Sequence, residues 1–360
     1  MLKPALVAFL IALSGLAFAA DRANIKQPTL TTQNSGTTQG LISVSPVNPR
    51  VVWASGRGGT FVVTNDGGQT WRAGVVPGAE SLQFRDVQGV SEKVAYLQSI
   101  GDHTTDFRIY KTVDGGATWT MEFQNHLDGA FYDCFAFWTP KRGVSHSDSV
   151  NGVFPDIRTL DGETWQDISA NIPRALAGEF SFAASGTCVA TQGAMNAWIA
   201  TGGASVARVL ASRDQGNTWN AYDTPLVSSP SAGAFTVAFR DPWHGIVGGG
   251  DLDPGDPGNA RTATSSDGGR TWKLTSAPPV TGAIFGLAYV GNADGSDEAG
   301  AHGGHSVVIT ANAGGAAWTP DEGTTWFALP GVTGGWSVSF ASPKAGWLVG
   351  VNGEIIKISF

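Results

Sequence analysis

Two sets of acidic residues in this chain have types and spacings that could carry chemistry. The first is periodic. "TNDGGQTW" ends at Trp71, "TVDGGATW" at Trp119, "TLDGETW" at Trp165, "SRDQGNTW" at Trp219, "SSDGGRTW" at Trp272 and "TPDEGTTW" at Trp326. Their aspartates, Asp66, Asp114, Asp161, Asp214, Asp267 and Asp321, are separated by 48, 47, 53, 53 and 54 residues. An acid, a hydroxyl and glycines within eight positions could suggest a metal loop. A calcium loop of the EF type needs several more oxygen ligands and a distal Glu, which the pattern lacks. Every residue type has a construction role instead. Gly supplies a positive φ for a tight turn, Asp accepts from the turn's own N–H groups, the hydroxyl bonds locally, and Trp buries a ring between neighbouring sheets.

The second set is not repeated. Arg85, Asp86, Asp133, Asp148, Glu179 and Asp251 stand in phrases that break the repeat. Two carboxylates facing each other across a cleft could act as acid and base on a glycosidic bond, and the arginine could hold an anion. These six are the candidate ligand-binding residues. The six repeated aspartates and tryptophans are assigned to structure. "HGGH" (His302 to His305) offers two metal ligands where a site needs more. The acidic stretches "DLDPGDPGN" (Asp251 to Asn259) and "NADGSDE" (Asn292 to Glu298) read as solvated loops. No metal and no cofactor is expected.

The elements that must position these residues are short strands. Charged residues are 14% of the chain, against about 25% in an average soluble domain. Gly is 49 and Trp 13, in a chain of 360 residues. Such a composition favours strands with closely spaced turns. Stretches such as Val51 to Ala54 and Thr60 to Thr64 precede each turn, and another follows its Trp. Four short strands per unit of about fifty residues is the pattern of a β-propeller blade. After the last turn, Gly335 to Phe360 supplies three strands and the chain stops; the fourth is expected from the N-terminal side, within Ile25 to Thr32. The fold expected is all-β: a single seven-bladed propeller over residues 21–360, its last blade closed by both termini. Six blades is the alternative should the terminal segments not pair. In a propeller the unrepeated charges, near the ends of inner strands, converge on one mouth of the central channel.

Residues 1–20, "MLKPALVAFLIALSGLAFAA", read as a secretory signal peptide cut near Ala19 or Ala20, which predicts a periplasmic or secreted protein. No later stretch is long and apolar enough to span a bilayer. The net charge of -8 gives no basic footprint for nucleic acid. Cys134 and Cys188 each lie 31 residues before a repeat Trp, so they occupy equivalent places in consecutive units. Export permits a disulfide, but neighbouring units could hold the two beyond bonding reach, and two buried thiols are the preferred expectation.

The repeated turns resemble the Asp-box, or BNR, repeat of sialidases and their many non-enzymatic relatives. "GWLVGVNGEIIKIS" (Gly346 to Ser359) resembles the repeats of photosystem II stability and assembly factors. "LQFRDVQ", "FYDCFAFW", "HSDSVNGVF", "GEFSFAASGT" and "GGGDLDP" give most of the chain a likeness to exported bacterial propellers loosely labelled "oxidoreductase" or "BNR repeat protein". The resemblance implies the fold; fold does not imply activity. No CxxC, GxGxxG or other cofactor motif supports the oxidoreductase label, and the Arg-Ile-Pro motif of sialidases is absent. The function expected is non-catalytic: a monomeric binding or assembly scaffold taking a protein segment or a glycan at the channel mouth. The alternative is a sialidase-like glycan hydrolase using the mouth carboxylates.

Overall fold

The computed structural model describes residues 27–253, 258–291, 305–312 and 314–360. The signal-peptide reading, His302 and the acidic stretch 292–298 lie outside the described residues. Seven four-stranded antiparallel sheets are present. The innermost strands are Leu41–Pro46, Gln83–Gly89, Tyr132–Thr139, Val189–Gln192, Ala232–Phe239, Gly286–Tyr289 and Gly335–Ser342, in blades 1 to 7. Each touches the innermost strand of the next blade, and the first touches the last, so the ring is closed.

Closure works as the terminal segments suggested. Thr29–Asn34 is the outer strand of blade 7 and pairs antiparallel with Glu354–Ser359, Thr29 opposite Ser359. The strand lies slightly later than Ile25 to Thr32. A ring joined this way has no unpaired edge at its seam.

The interior is divided by blade junction. Val51, Trp53 and Phe61 of blade 1 cluster with Phe84, Val87 and Leu97 of blade 2. Leu41 and Val52 of blade 1 cluster with Trp347 and Ile355 of blade 7. The largest fully buried rings include Trp53, Trp198 and Trp347, each on the second strand of its blade, and Trp318 on a third strand. The repeat tryptophans are less deep than the sequence reading supposed. Trp219 is 6% exposed, whereas Trp71, Trp119, Trp165, Trp272 and Trp326 are half-buried. The repeated turn lies at the outer rim, so its indole covers the edge of a junction. Trp119 does this between sheets, edge-on to Trp53 and Phe61 of the preceding blade.

The turns connect the third and fourth strands of blades 1 to 6. In the first, Thr64 Oγ1 donates to Asp66 Oδ1 at 2.8 Å and accepts from Gly68 N at 2.9 Å, while Thr70 N donates to Asp66 Oδ1 at 2.9 Å. The same bonds recur in the other copies, to Asp114, Asp161, Asp214, Asp267 and Asp321. The Thr118 hydroxyl and N–H hold Asp114 down at about 2. The last Gly of the turn has a positive φ in every copy, +85° at Gly68 and +90° at Gly323. Where Gln215 and Glu322 replace the first Gly they adopt positive φ too, +58° and +52°, which L-residues do at some cost. Asp214→Ala is expected to lower stability by about 1 kcal/mol, modest because the turn is washed by water, and to leave ligand binding intact. Thermal unfolding beside a binding titration checks this; binding lost at unchanged Tm would return the turn to the list of functional elements.

The two cysteines correct the sequence reading. Cys134 and Cys188 form a disulfide, with Cα atoms 5.9 Å apart. Consecutive blades bring equivalent inner-strand positions within the roughly 4.4–6.8 Å that a bridge needs. The bond lies inside the cluster joining blades 3 and 4, among Val144, Phe154, Ile199 and Leu210.

Candidate functional site

A channel of about 570 Å³ runs through the ring, lined by residues of all seven innermost strands. A separate pocket of about 330 Å³ opens where those strands begin. Alternation along a strand decides which candidate reaches which space. Arg85 and Asp86 are adjacent in Gln83–Gly89; Arg85 lines the mouth pocket and Asp86 the channel. Asp133 is the second residue of the innermost strand of blade 3, and Asp148 follows that blade's second strand. Both line the mouth pocket with Arg85.

The other three candidates do not line it. Asp86 is 3% exposed and accepts from Ser43 Oγ, Val87 N at 2.7 Å and Phe135 N at 2.9 Å, stitching three blades together. Burial pushes its pKa well above the carboxylate range. Glu179 is 1% exposed and accepts from Arg208 Nε at 2.8 Å, Thr201 Oγ1 at 2.6 Å and Leu176 N at 2.7 Å. Asp251 closes a loop, accepting from Ser231 Oγ at 2.6 Å and Asp253 N at 2.9 Å. Its pKa is lowered, first by the Ser231 hydroxyl.

At the mouth, Asp133 and Asp148 hydrogen-bond to each other through their side chains. Two carboxyl groups can do so only by sharing a proton. Burial, then the charge of Asp148, pushes Asp133 well above its usual range. Burial also pushes Asp148 up to about 6, although Ser181 N donates to it at 2.9 Å. Behind the pair, His146 Nδ1 meets Asp156 Oδ1 at 2.9 Å, both side chains fully buried. Arg85 donates to Ala183 O at 3.0 Å and Gln83 Oε1 at 3.0 Å. Its guanidinium lies 5.3 Å from the centre of the Trp336 ring. Burial, then Arg57, brings its pKa down to about 10, against the pull of Asp133.

The sequence reading missed the aromatic wall. Phe180 and Phe182 are 4.8 Å apart, and Phe182 stacks on Phe235 at 3.7 Å. Phe235 lies 6.0 Å from Phe285, and Phe285 5.3 Å from Trp336, centre to centre. All five rings line the pocket. A signal existed: an aromatic stands beside or within the start of the innermost strand in consecutive units. It was invisible as a cluster because the rings come from four units: Phe180 and Phe182 from one segment, and Phe235, Phe285 and Trp336 from three others. At the channel's other end, Arg240, Asp241, Tyr289 and Glu322 are bonded to one another. Among the residues lining the mouth pocket, Arg85 and Asp133 each keep a buried polar atom without a partner.

The contact between Asp133 and Asp148 also bears on hydrolysis. Retaining and inverting glycosidases hold their carboxyls about 5–9.5 Å apart to admit a sugar or water. Hydrogen-bonded carboxyls leave no such gap.

The pair makes stability pH-dependent. An unfolded Asp titrates near 3.8 and folded Asp148 near 6, so between these values the unfolded chain releases its proton first. The stabilising contribution is complete below the lower value and is lost as pH rises through the upper one, a loss of about 3 kcal/mol. Asp148→Asn, which keeps the acceptor for Ser181 N, is expected to flatten this slope in urea unfolding between pH 4 and 7. An unchanged slope would mean that Asp148 does not titrate in that window.

Fold and site together define a closed seven-bladed propeller with an aromatic, acid-containing mouth. No family model matches the sequence, and no curated protein matches it. Among solved structures, "YCF48 bound to D1 peptide" aligns over 94% of this chain and 96% of its own, at TM-score 0.60 and 16% identity. YCF48 from Cyanidioschyzon merolae aligns over 92% of this chain and 98% of its own, at TM-score 0.61 and 15% identity. These likenesses are of fold.

Proposed function

We propose that this chain is an exported, non-catalytic propeller that binds a protein segment at the mouth where the innermost strands begin, as a binding or assembly scaffold. One observation carries the reading: a pocket of about 330 Å³ walled by aromatic rings and floored by Arg85, Asp133 and Asp148. Rings with a few convergent polar groups are the usual composition of a binding pocket and of interface hot spots. Two further points support it. A solved propeller of similar fold holds a peptide, by its description. The Cys134–Cys188 bridge suits an oxidising compartment, as does the signal-like residue 1–20 segment.

The test is an array of immobilised peptides from envelope proteins, with a glycan array beside it, each probed with the pure protein and with Trp336→Ala. Peptide binding is expected, and Trp336→Ala should weaken it about 30-fold, the cost of losing a hot-spot ring. Binding to glycans alone, or peptide binding indifferent to Trp336, would overturn the reading.

A further inference from the structure

The polar groups of the mouth restrict what its occupant can be. Arg85 brings one positive charge. Asp133 and Asp148, sharing a proton across their contact, bring one negative charge between them. Among the three groups that line the floor the charges cancel. A carboxylate entering would face the acid pair, and an ammonium group would face Arg85. Two buried polar atoms of residues that line the pocket nonetheless lack a partner among the described residues. Arg85 Nε is buried without an acceptor. Asp133 Oδ2 is likewise buried, and no donor reaches it among the described residues. Asp133 itself is 1% exposed. A buried donor and a buried acceptor left unmet each cost stability, and a ligand that meets both gains by it.

The occupant must therefore be uncharged, and must accept one hydrogen bond and donate another. It must also suit the wall. Phe180, Phe182, Phe235, Phe285 and Trp336 form a continuous arc, with successive centroids 3.7 to 6.0 Å apart. Arg85 closes its end over Trp336. A further ring can extend such an arc edge-to-face, while an aliphatic group gains only by burial. A phenol combines the two requirements: an aromatic body, and one oxygen that both accepts and donates.

We infer that the mouth takes the side chain of a tyrosine from a partner protein, its ring continuing the aromatic arc and its hydroxyl lying between Arg85 and Asp133. The inference rests on the peptide-binding reading above and narrows it to a residue. Phenylalanine would fill the same wall but leave both polar atoms buried and unmet. A site built to bond a hydroxyl discriminates strongly against the analogue lacking it.

The test uses the full mature chain and fluorescently labelled heptapeptides of Gly and Ser with Tyr, Phe, Gln or Glu at the centre, followed by fluorescence anisotropy. The Tyr peptide is expected to bind at least tenfold more tightly than the Phe peptide. Asp133→Leu and Arg85→Met should each bring the two peptides to similar affinity while keeping Phe binding. Asp133→Asn, which retains an acceptor and a donor for Asp148, should keep the preference for Tyr and guards against simple misfolding. Equal or tighter binding of Phe in the native protein overturns the inference but leaves peptide binding standing. So does preference for Gln or Glu. Failure of every peptide to bind, with envelope peptides also silent on the array, overturns both.

Discussion

Reducing the Cys134–Cys188 bridge is expected to cost the folded chain about 4 kcal/mol. The two cysteines are 54 residues apart, and closing a loop of that length removes roughly this much conformational freedom from the unfolded chain in the loop-entropy model. The native geometry sets no obstacle, since neighbouring blades already hold the Cα atoms 5.9 Å apart. The site is also enclosed: both residues are fully buried at the junction of blades 3 and 4. The measurement is urea unfolding of the Cys134→Ala, Cys188→Ala double variant against the native protein under non-reducing conditions. A midpoint shift equivalent to less than about 1 kcal/mol would show that the bridge does not constrain the unfolded chain as this model requires. The same junction carries Asp133 one residue before Cys134, so the double variant should also loosen the mouth and weaken peptide binding.

Arg208→Ala is expected to destabilise by about 3–5 kcal/mol, the range for removing one partner of a buried ion pair. Glu179 is wholly inside, with its carboxylate held by Arg208, Thr201 and Leu176. Arg208 is 8% exposed and also donates to Arg174 O at 3.1 Å. Taking away the guanidinium leaves a buried carboxylate with two neutral donors, too few to replace water around a full charge. The comparison that isolates this cause is Arg208→Met with Glu179→Leu. With both charges gone and similar volume kept, much of the loss should return, because what costs most is the orphaned charge. If the double variant is less stable than the sum of the two single ones, the pair is not the source of the effect.

These two predictions fall on residues that sequence reading treated differently from what the fold made of them. Glu179 was grouped with the mouth carboxylates because it stands in an unrepeated phrase. An unrepeated residue in a repeat protein has some special role, but spacing cannot say whether the role is binding or holding. Glu179 has Arg208 as a partner 29 residues away, and that pairing exists only once two strands of a blade and a loop are assembled. Asp86 shows the same limit more sharply. It differs from Arg85 by one position, and the strand's alternation sends one to the channel and the other to the mouth. A register shift between Phe84 and Asp86 lies at this very place, and such bulges re-aim side chains in ways a sequence pattern does not show.

What the sequence by itself determined was the ring. Six turns of the same chemistry at nearly constant spacing, plus a seventh unit split between the two ends, leave few ways to bury the apolar strands other than a closed propeller. The turn's local bonding was equally legible: Thr64, Asp66, Gly68 and Thr70 satisfy one another within seven residues. Only the tertiary structure decided which unrepeated residues meet. Asp133 finds Asp148, Arg85 finds Trp336, and Phe182 finds Phe235 across distances of up to 251 residues in the chain. The physical reason is one of range. Turn bonds depend on neighbours in sequence, whereas the mouth depends on how closure of the ring brings the starts of separate strands to one place.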